Sequence, residues 1–400
     1  MQTTKKLLYF NALFDLNPGN VRQPALHRAA DEMTTLFLPM GSASDSIVLN
    51  TGLPDGYRDY LTQAGLSLPR VLDDSKADAY IVEPWGWDSD ALLLAQKYGD
   101  ITHHPDISAV RNVNSRKFCS SLPVEITRTV PGSVFAEDQY GVENALEQLK
   151  NSYPLVVKPN FGSSGFGFLH LTDQSITAAQ VQAIRNYLQT GGAVIEPWVA
   201  RLEDISCSIE INRNGVLDRL SFFRCIVNRR GTFNGVHIPP EKEVDKRGPF
   251  AVIEKGVRDA VKYIVDAGYF GPASIDSFLY IDRAGKEQVV AVGEINARHI
   301  VSDIGRAIGN QIAPCRHSYF RFTSRKLLRL PENYSELRKR LGSLAFCPES
   351  KKGVLVVTPL RVGDRAGFHQ PYRNGFFISA DSSEELFAMD RALLGICRAG

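Results

Sequence analysis

Cysteine is sparse and unpatterned in this sequence. Six residues (Cys119, Cys207, Cys225, Cys315, Cys347 and Cys397) are scattered along 400 positions, with no C-x-x-C and no His–Cys spacing. That argues against a zinc ribbon or a disulfide framework and leaves reduced thiols in a cytoplasmic protein as the expectation. A charge excess is missing too: 46 Lys and Arg against 44 Asp and Glu give a net charge of +2, which gives no reason to expect nucleic acid or an acidic membrane as partner. The one basic concentration, Arg316 to Arg340, is interleaved with Leu327, Leu328, Glu332 and Glu336 and reads as a solvated helical face. No apolar window reaches bilayer length, so no membrane span is expected. Lys5 and Lys6 before Leu7 to Phe14 imitate a signal peptide, yet Asn11 interrupts the run, Asp15 ends it and no small-x-small site follows; a first strand is the expectation. Internal repeats and low-complexity linkers are lacking.

What is present is a globular composition, 44% hydrophobic and 22% charged, on a chain too long for one ordinary core. Short apolar runs (Leu7 to Phe10, Ser46 to Leu49, Ala79 to Val82) alternate with helix-like stretches (Asp55 to Ala64, Asp88 to Tyr98) and predict a parallel α/β segment over residues 1–122. Trp85 and Trp87 read as a packed rim at a domain junction, with a binding platform as the competing reading. A helix is expected from Ile107 to Leu122, capped by Asp106 and stopped by Pro123. A second α/β segment, residues 123–199, follows: a strand near Ile126 to Val130, a helix Tyr140 to Lys150, a strand ending at Lys158, a helix Thr177 to Leu188, and a strand Ala193 to Glu196 halted by Pro197. Residues 200–400 change to longer strands, Ile205 to Ile211 and Leu217 to Val227, with an irregular stretch Asn228 to Pro240. Then come an amphipathic helix Phe250 to Ala267, a hairpin (Ala273 to Ile281, Gln288 to Ile295), a helical region to about Leu341, and a closing strand, strand and helix.

Two places carry chemistry. The run Leu155 to Val157 ends in Lys158 and a loop with Gly162, Ser163, Ser164, Gly165 and Gly167. Glycines there let backbone N–H groups converge on an anion, with the lysine adding a full charge; a flexible hairpin turn uses the same residues. In the hairpin, strand alternation puts Glu294 and Asn296 on one face, with Asp276 nearly opposite Val292 and Glu294. Oxygen donors without His or Cys suit a hard cation such as Mg²⁺ or Mn²⁺; for Asp276 alone, pairing with a neighbouring arginine competes with that reading.

Taken together, these pieces resemble the ATP-grasp superfamily of carboxylate-amine ligases. Lys158-Pro159 with Gly162-Ser163-Ser164-Gly165 is similar to the small-subdomain lysine and phosphate loop. Glu196-Pro197-Trp198-Val199 is similar to the adenine hinge, Glu203 falls where the ribose-binding acid stands, and Glu294-Ile295-Asn296-Ala297-Arg298 is similar to the metal-binding E-x-N motif with its trailing arginine. Asn114-Ser115-Arg116-Lys117 resembles the site of the α-phosphate cation, with Arg116 and Lys117 both fitting. Asp276 stands further from Glu294 than the superfamily's first acidic ligand usually does, which a longer hairpin explains.

The resemblance implies an ATP-grasp fold, two α+β subdomains gripping ATP, behind an α/β pre-ATP-grasp domain. It also implies ATP and Mg²⁺ as cofactors, a metal set of Asp276, Glu294 and Asn296, and catalytic roles for Lys158 and Arg298. The expected reaction is ADP-forming: a carboxylate, of an amino acid or natural-product intermediate, is activated as an acyl phosphate and joined to an amine. The placement most similar to this chain is the microbial amino-acid and peptide ligases of specialised metabolism. Arg224, Arg229, Arg230 and His237 are the candidates to hold a substrate carboxylate, each with an ordinary surface role as the competing reading. Small-molecule carboxylate and amine partners are expected, with a homodimer left open. A phosphotransferase on the same scaffold and a non-catalytic nucleotide-binding module are the alternatives.

Overall fold

Leu7 and Leu8 are neighbours on one strand and both are fully buried, so the sheet they belong to is covered on both faces. That sheet is parallel, in the spatial order Arg70–Val71, Ser46–Ile47, Lys6–Tyr9, Ile81–Pro84. The chain is described from a computed structural model over residues 5–15, 24–73, 79–98, 104–162, 167–227, 233–244, 247–326, 328–364 and 367–398.

A second sheet is antiparallel and has four strands, in the order Val134–Ala136, Ala193–Pro197, Leu155–Pro159, Leu169–Leu171. It packs with helices Gln139–Gln148 and Ala178–Gln189, whose first turns are fixed by Asp138 and by a Thr177/Gln180 capping box. Ala136, Val142, Ala145, Leu155, Val157, Ile184 and Ile195 close a core of their own there. The third sheet has eight antiparallel strands: Glu287–Asn296, Gly271–Ile281, Ala200–Ile211, Leu217–Val227, Phe233–Ile238, His317–Ser324, Arg373–Ala380 and Gly353–Val356. Helix Pro249–Asp266 covers one part with Ile253, Val257, Ala260, Val261 and Ile264, the face the spacing predicts.

The parallel sheet divides two large cores. Leu7 packs in one with Tyr80, Trp87, Ile209, Val257 and Ile275; Leu8 packs in the other with Phe37, Trp85, Ile304, Phe320 and Phe377. Each core therefore mixes residues from the amino-terminal segment with residues beyond 200, and both tryptophans are buried at that junction as expected.

Several local expectations are corrected. Ile107 to Leu122 is two helices, Ile107–Val113 and Arg116–Ser121, because Ser115 starts the second by accepting the Phe118 N–H. The strand expected near Ile126 is a helical turn, Val124–Thr127, and the strand begins at Val134. Phe233–Ile238 is a strand inside the stretch read as irregular. His317–Ser324, read as helical, is an interior strand of the large sheet. No helix among the described residues is long and apolar enough to cross a membrane.

Candidate active site

Strand Leu155–Pro159 is buried at every position and delivers Lys158 to the cleft between the two antiparallel sheets. Its partner strand places Glu196 opposite Val156, so Lys158 lies two residues further along the same face and closes on Glu196 at 2.5 Å. Burial alone would raise the Glu196 carboxyl, but Lys158, with Arg201 and Ser133, holds it below its ordinary value. Phe168 lies 5.3 Å from the Lys158 ammonium. Gly162 is half-buried at the start of the glycine loop; Ser163, Ser164 and Gly165 lie outside the described residues.

Across the cleft, the hairpin brings Asp276 directly opposite Glu294, and Ser274 opposite Asn296. This is tighter than a regular ladder would give. Phe278 pairs with Val290, so an uninterrupted register would put Asp276 against Val292; a bulge between Asp276 and Phe278 advances the second strand by two residues. Gly293 sits in that bulge, where a Cβ would stand 3.1 Å from the Asp276 carbonyl oxygen. Ser206 Oγ donates to Asp276 Oδ1 at 2.8 Å and Asn296 Nδ2 donates to Oδ2 at 3.2 Å. Burial first, and the Glu294 carboxylate second, push the Asp276 carboxyl up to about 6. Two facing carboxylates and an amide oxygen, one carboxyl raised by burial and by its carboxylate neighbour, fit a hard divalent cation.

The break between the two short helices sends the two candidate cations in different directions. Asn114 Oδ1 accepts the Ala297 N–H (2.9 Å), while the N–H groups of Arg116 and Lys117 donate to Asn160. Arg116, 4% exposed, is aimed inward: Nη1 donates to the Pro159 carbonyl and Nη2 to Glu294 Oε1, both at 2.6 Å. Lys117 turns outward to the exposed Glu137. Arg298 is buried as well, with Nε 2.7 Å from Asp15 of the amino-terminal segment and Nη2 donating to Asn296 Oδ1. The following His299 lies between Glu83 (3.4 Å) and Asp303 (3.7 Å). Burial opposes its charge, yet Asp303 and Glu83 hold it up to about 9, and its backbone N–H donates to the Trp85 carbonyl at 2.9 Å, tying the chain after the E-x-N motif to the amino-terminal segment.

Lys158, Asp276, Glu294, Asn296 and Arg298 thus line one cleft of about 180 Å³. Trp198 and Val199 are outside its lining: the Trp198 N–H donates to Pro154 O, its ring meets His170 edge-on, and Val199 packs with Phe278 and Tyr280. Glu203 and Arg224 are outside the lining and pair with each other at 2.9 Å; Asp204, one residue on, faces the cleft instead. His237 is outside the lining as well. Its Nε2 is 3.1 Å from His317 Nδ1, its ring packs on Phe387, and burial, His317 and Arg224 push it down to about 4, so at neutral pH it is an uncharged group away from the cleft. Arg229 and Arg230 lie outside the described residues.

Sequence reasoning missed Asp204 and Ser206, which the register places directly across from Phe278 and Asp276 on the same face of the sheet. Arg201, 2.5 Å from Asp204 and stacked 4.0 Å from the Phe278 ring, was missed too. The alternating pattern of strand 200–211 was the available signal.

No family model matches the chain, and no curated protein matches its sequence. Solved structures do match. N5-carboxyaminoimidazole synthetase from Staphylococcus aureus, complexed with ADP, superposes with a TM-score of 0.55 at 13% identity, covering 98% of each chain. Biotin carboxylase from Campylobacter jejuni gives 0.53 at 12% identity, over 98% of this chain and 91% of that one. The N5-carboxyaminoimidazole synthase of Aspergillus clavatus, complexed with ADP and 5-aminoimidazole ribonucleotide, gives 0.51 at 11% identity over the full length of both. With the parallel sheet in front and the two antiparallel sheets enclosing the Lys158 cleft, the chain has the ATP-grasp fold preceded by an α/β domain.

Proposed function

We propose that this chain is an ATP-dependent, ADP-forming ligase that activates a carboxylate as an acyl phosphate and couples it to an amine. The carrying observation is the facing of Asp276 and Glu294 across the hairpin, beside Asn296 and within one cleft with Lys158 and Arg298. Asp276, Glu294 and Asn296 would hold Mg²⁺ or Mn²⁺, which when bound offsets the charge of the nucleotide phosphates. Lys158 and Arg116 bind the phosphates, Arg116 exchanging its Glu294 partner for them, and their positive charge stabilises the γ-phosphoryl group as it passes to the substrate carboxylate. ADP leaves as the β–γ bridging P–O bond breaks. The amine nitrogen then attacks the acyl carbon, loses its proton, and the C–O bond to phosphate breaks. Arg298, fixed by Asp15 and Asn296, stabilises the tetrahedral oxyanion.

The finer reading is an amino acid or natural-product intermediate as carboxylate, joined to an amine in specialised metabolism, by a cytoplasmic enzyme whose homodimer state sedimentation can check. Nucleotide product analysis with a panel of amino acids and amines, with and without Mg²⁺, tests the reaction. Substrate-dependent ADP and phosphate, with a hydroxamate formed on adding hydroxylamine, is the expected result. AMP and pyrophosphate would reject it, and a stable phosphorylated product inert to hydroxylamine would make the chain a kinase.

A further inference from the structure

Beside the nucleotide cleft lies a larger cavity, about 600 Å³, at the carboxyl ends of the parallel strands Lys6–Tyr9 and Ile81–Pro84. This is the end of an open α/β sheet where ligands are usually held, and the volume suits a small organic molecule. Its charge is one-sided. Among the described residues its lining sets Asp15, Asp31, Asp88 and Asp90 against Arg111, whose guanidinium lies 5.3 Å from the Phe161 ring, and the imidazole of His27. Asp15 is matched by Arg298. Among the described residues the other three have no Lys or Arg partner: Asp88 accepts from Asn11 Nδ2 and the Ala91 N–H, and Asp31 accepts from Asn50 Nδ2. Their fields converge on one spot, since the Tyr9 phenol in the wall is pushed up to about 12, by burial first and then by Asp88, Asp90 and Asp31. The rest of the lining sets the aromatic rings of Phe14, Trp87 and Phe161 among polar side chains, Asn11, His27, Thr34, Asn50 and Asn114.

The cavity also touches the reacting groups. Asp15 lines it and holds Arg298; Asn114 lines it and accepts the Ala297 N–H; Phe161 follows the Lys158 strand by two residues.

We infer that this cavity is the acceptor subsite and that it selects a protonated amine on an apolar or aromatic body, held by Asp88, Asp90 and Asp31 against Trp87 and Phe14. Only the word acceptor rests on the ligase reading; the selection for a cation does not. A ribonucleotide-type acceptor, with its phosphate, would meet the carboxylates of Asp31, Asp88 and Asp90, so the substrate here differs in charge from the ribonucleotide bound by the Aspergillus clavatus neighbour.

Calorimetric titration of the full chain with 2-phenylethylamine, 2-phenylethanol, phenylacetate and phenyl phosphate tests this. The amine should bind at least about tenfold tighter than the alcohol, with both anions weaker still. Asp88→Asn, which keeps a side-chain oxygen to cap helix Ser89–Tyr98, and Asp90→Asn, at an exposed position, should each cost the amine on the order of tenfold and leave the alcohol unchanged. An anion binding as tightly as the amine, no amine binding, or variants indifferent to the amine would each overturn the inference. Selective amine binding without ADP release from any substrate panel would keep the subsite and reject the ligase; ADP release with hydroxamate formation but no amine selectivity would do the reverse.

Discussion

At the scale of single residues, the proposed site stores unfavourable electrostatics that a cation would relieve. Asp276 has a carboxyl raised from 3.8 to about 6, so the folded protein binds its proton more tightly than the unfolded chain does. The stability linked to that proton is fully present below about pH 4 and is lost as the pH rises through 6. In metal-free protein, melting temperature should therefore fall across that window. Asp276→Asn should flatten the slope and add on the order of 1–2 kcal/mol at pH 7 while abolishing turnover; melting curves of both proteins against pH, with and without Mg²⁺, check it. Lys158 and Glu196 behave in the opposite way, as a buried pair at 2.5 Å. Lys158→Ala should cost about 3 kcal/mol by stranding Glu196 as well as weakening ATP binding. Adding Glu196→Gln should restore much of the stability and none of the nucleotide affinity, which separates a phosphate-binding role for Lys158 from a merely structural one.

At the scale of elements, the bulge of the hairpin is the feature that brings Asp276 opposite Glu294. Gly293→Val would place a branched side chain against the Asp276 carbonyl and the Phe278 ring. Expected are a loss of about 1–3 kcal/mol and a fall in Mg²⁺-dependent turnover of at least about tenfold, read by denaturant unfolding and product assay. Period-two alternation was enough to read from the sequence that Glu294 and Asn296 share a face and that Asp276 lies close. The bulge was not legible, because a glycine in a strand signals several outcomes. Ser115 carried a helix-start signal that the apolar spacing of Ile107 to Leu122 concealed, and it is this start that separates Arg116 from Lys117. His317–Ser324 was masked by its basic surroundings, although its Tyr319 and Phe320 are both buried. The Asp15, Asp31 and Asp88 cluster had no local signature at all, since only the parallel crossovers bring two loops and the helix Pro24–Met33 to one edge.

At the scale of the whole molecule, the cores are unequal in what they join. Two of them bind the amino-terminal sheet to strands and helices beyond residue 200, whereas the core built on Leu155, Val157 and Ile195 contains only residues 134–195. Hydrogen exchange should resolve the two populations: amides of 134–197 opening together, at lower free energy than those of Leu7, Ile275 and Phe377. Protection that rises and falls uniformly over the chain would contradict this. Val134 pairs with Ile195, so the chain enters and leaves this unit on neighbouring strands a single ladder step apart. Such a unit is a cassette. Excised and bridged by a short Gly-Ser link, it should leave behind a folded remainder that has lost the nucleotide yet keeps its acidic cavity, because only Phe161 of that cavity's lining belongs to the excised piece.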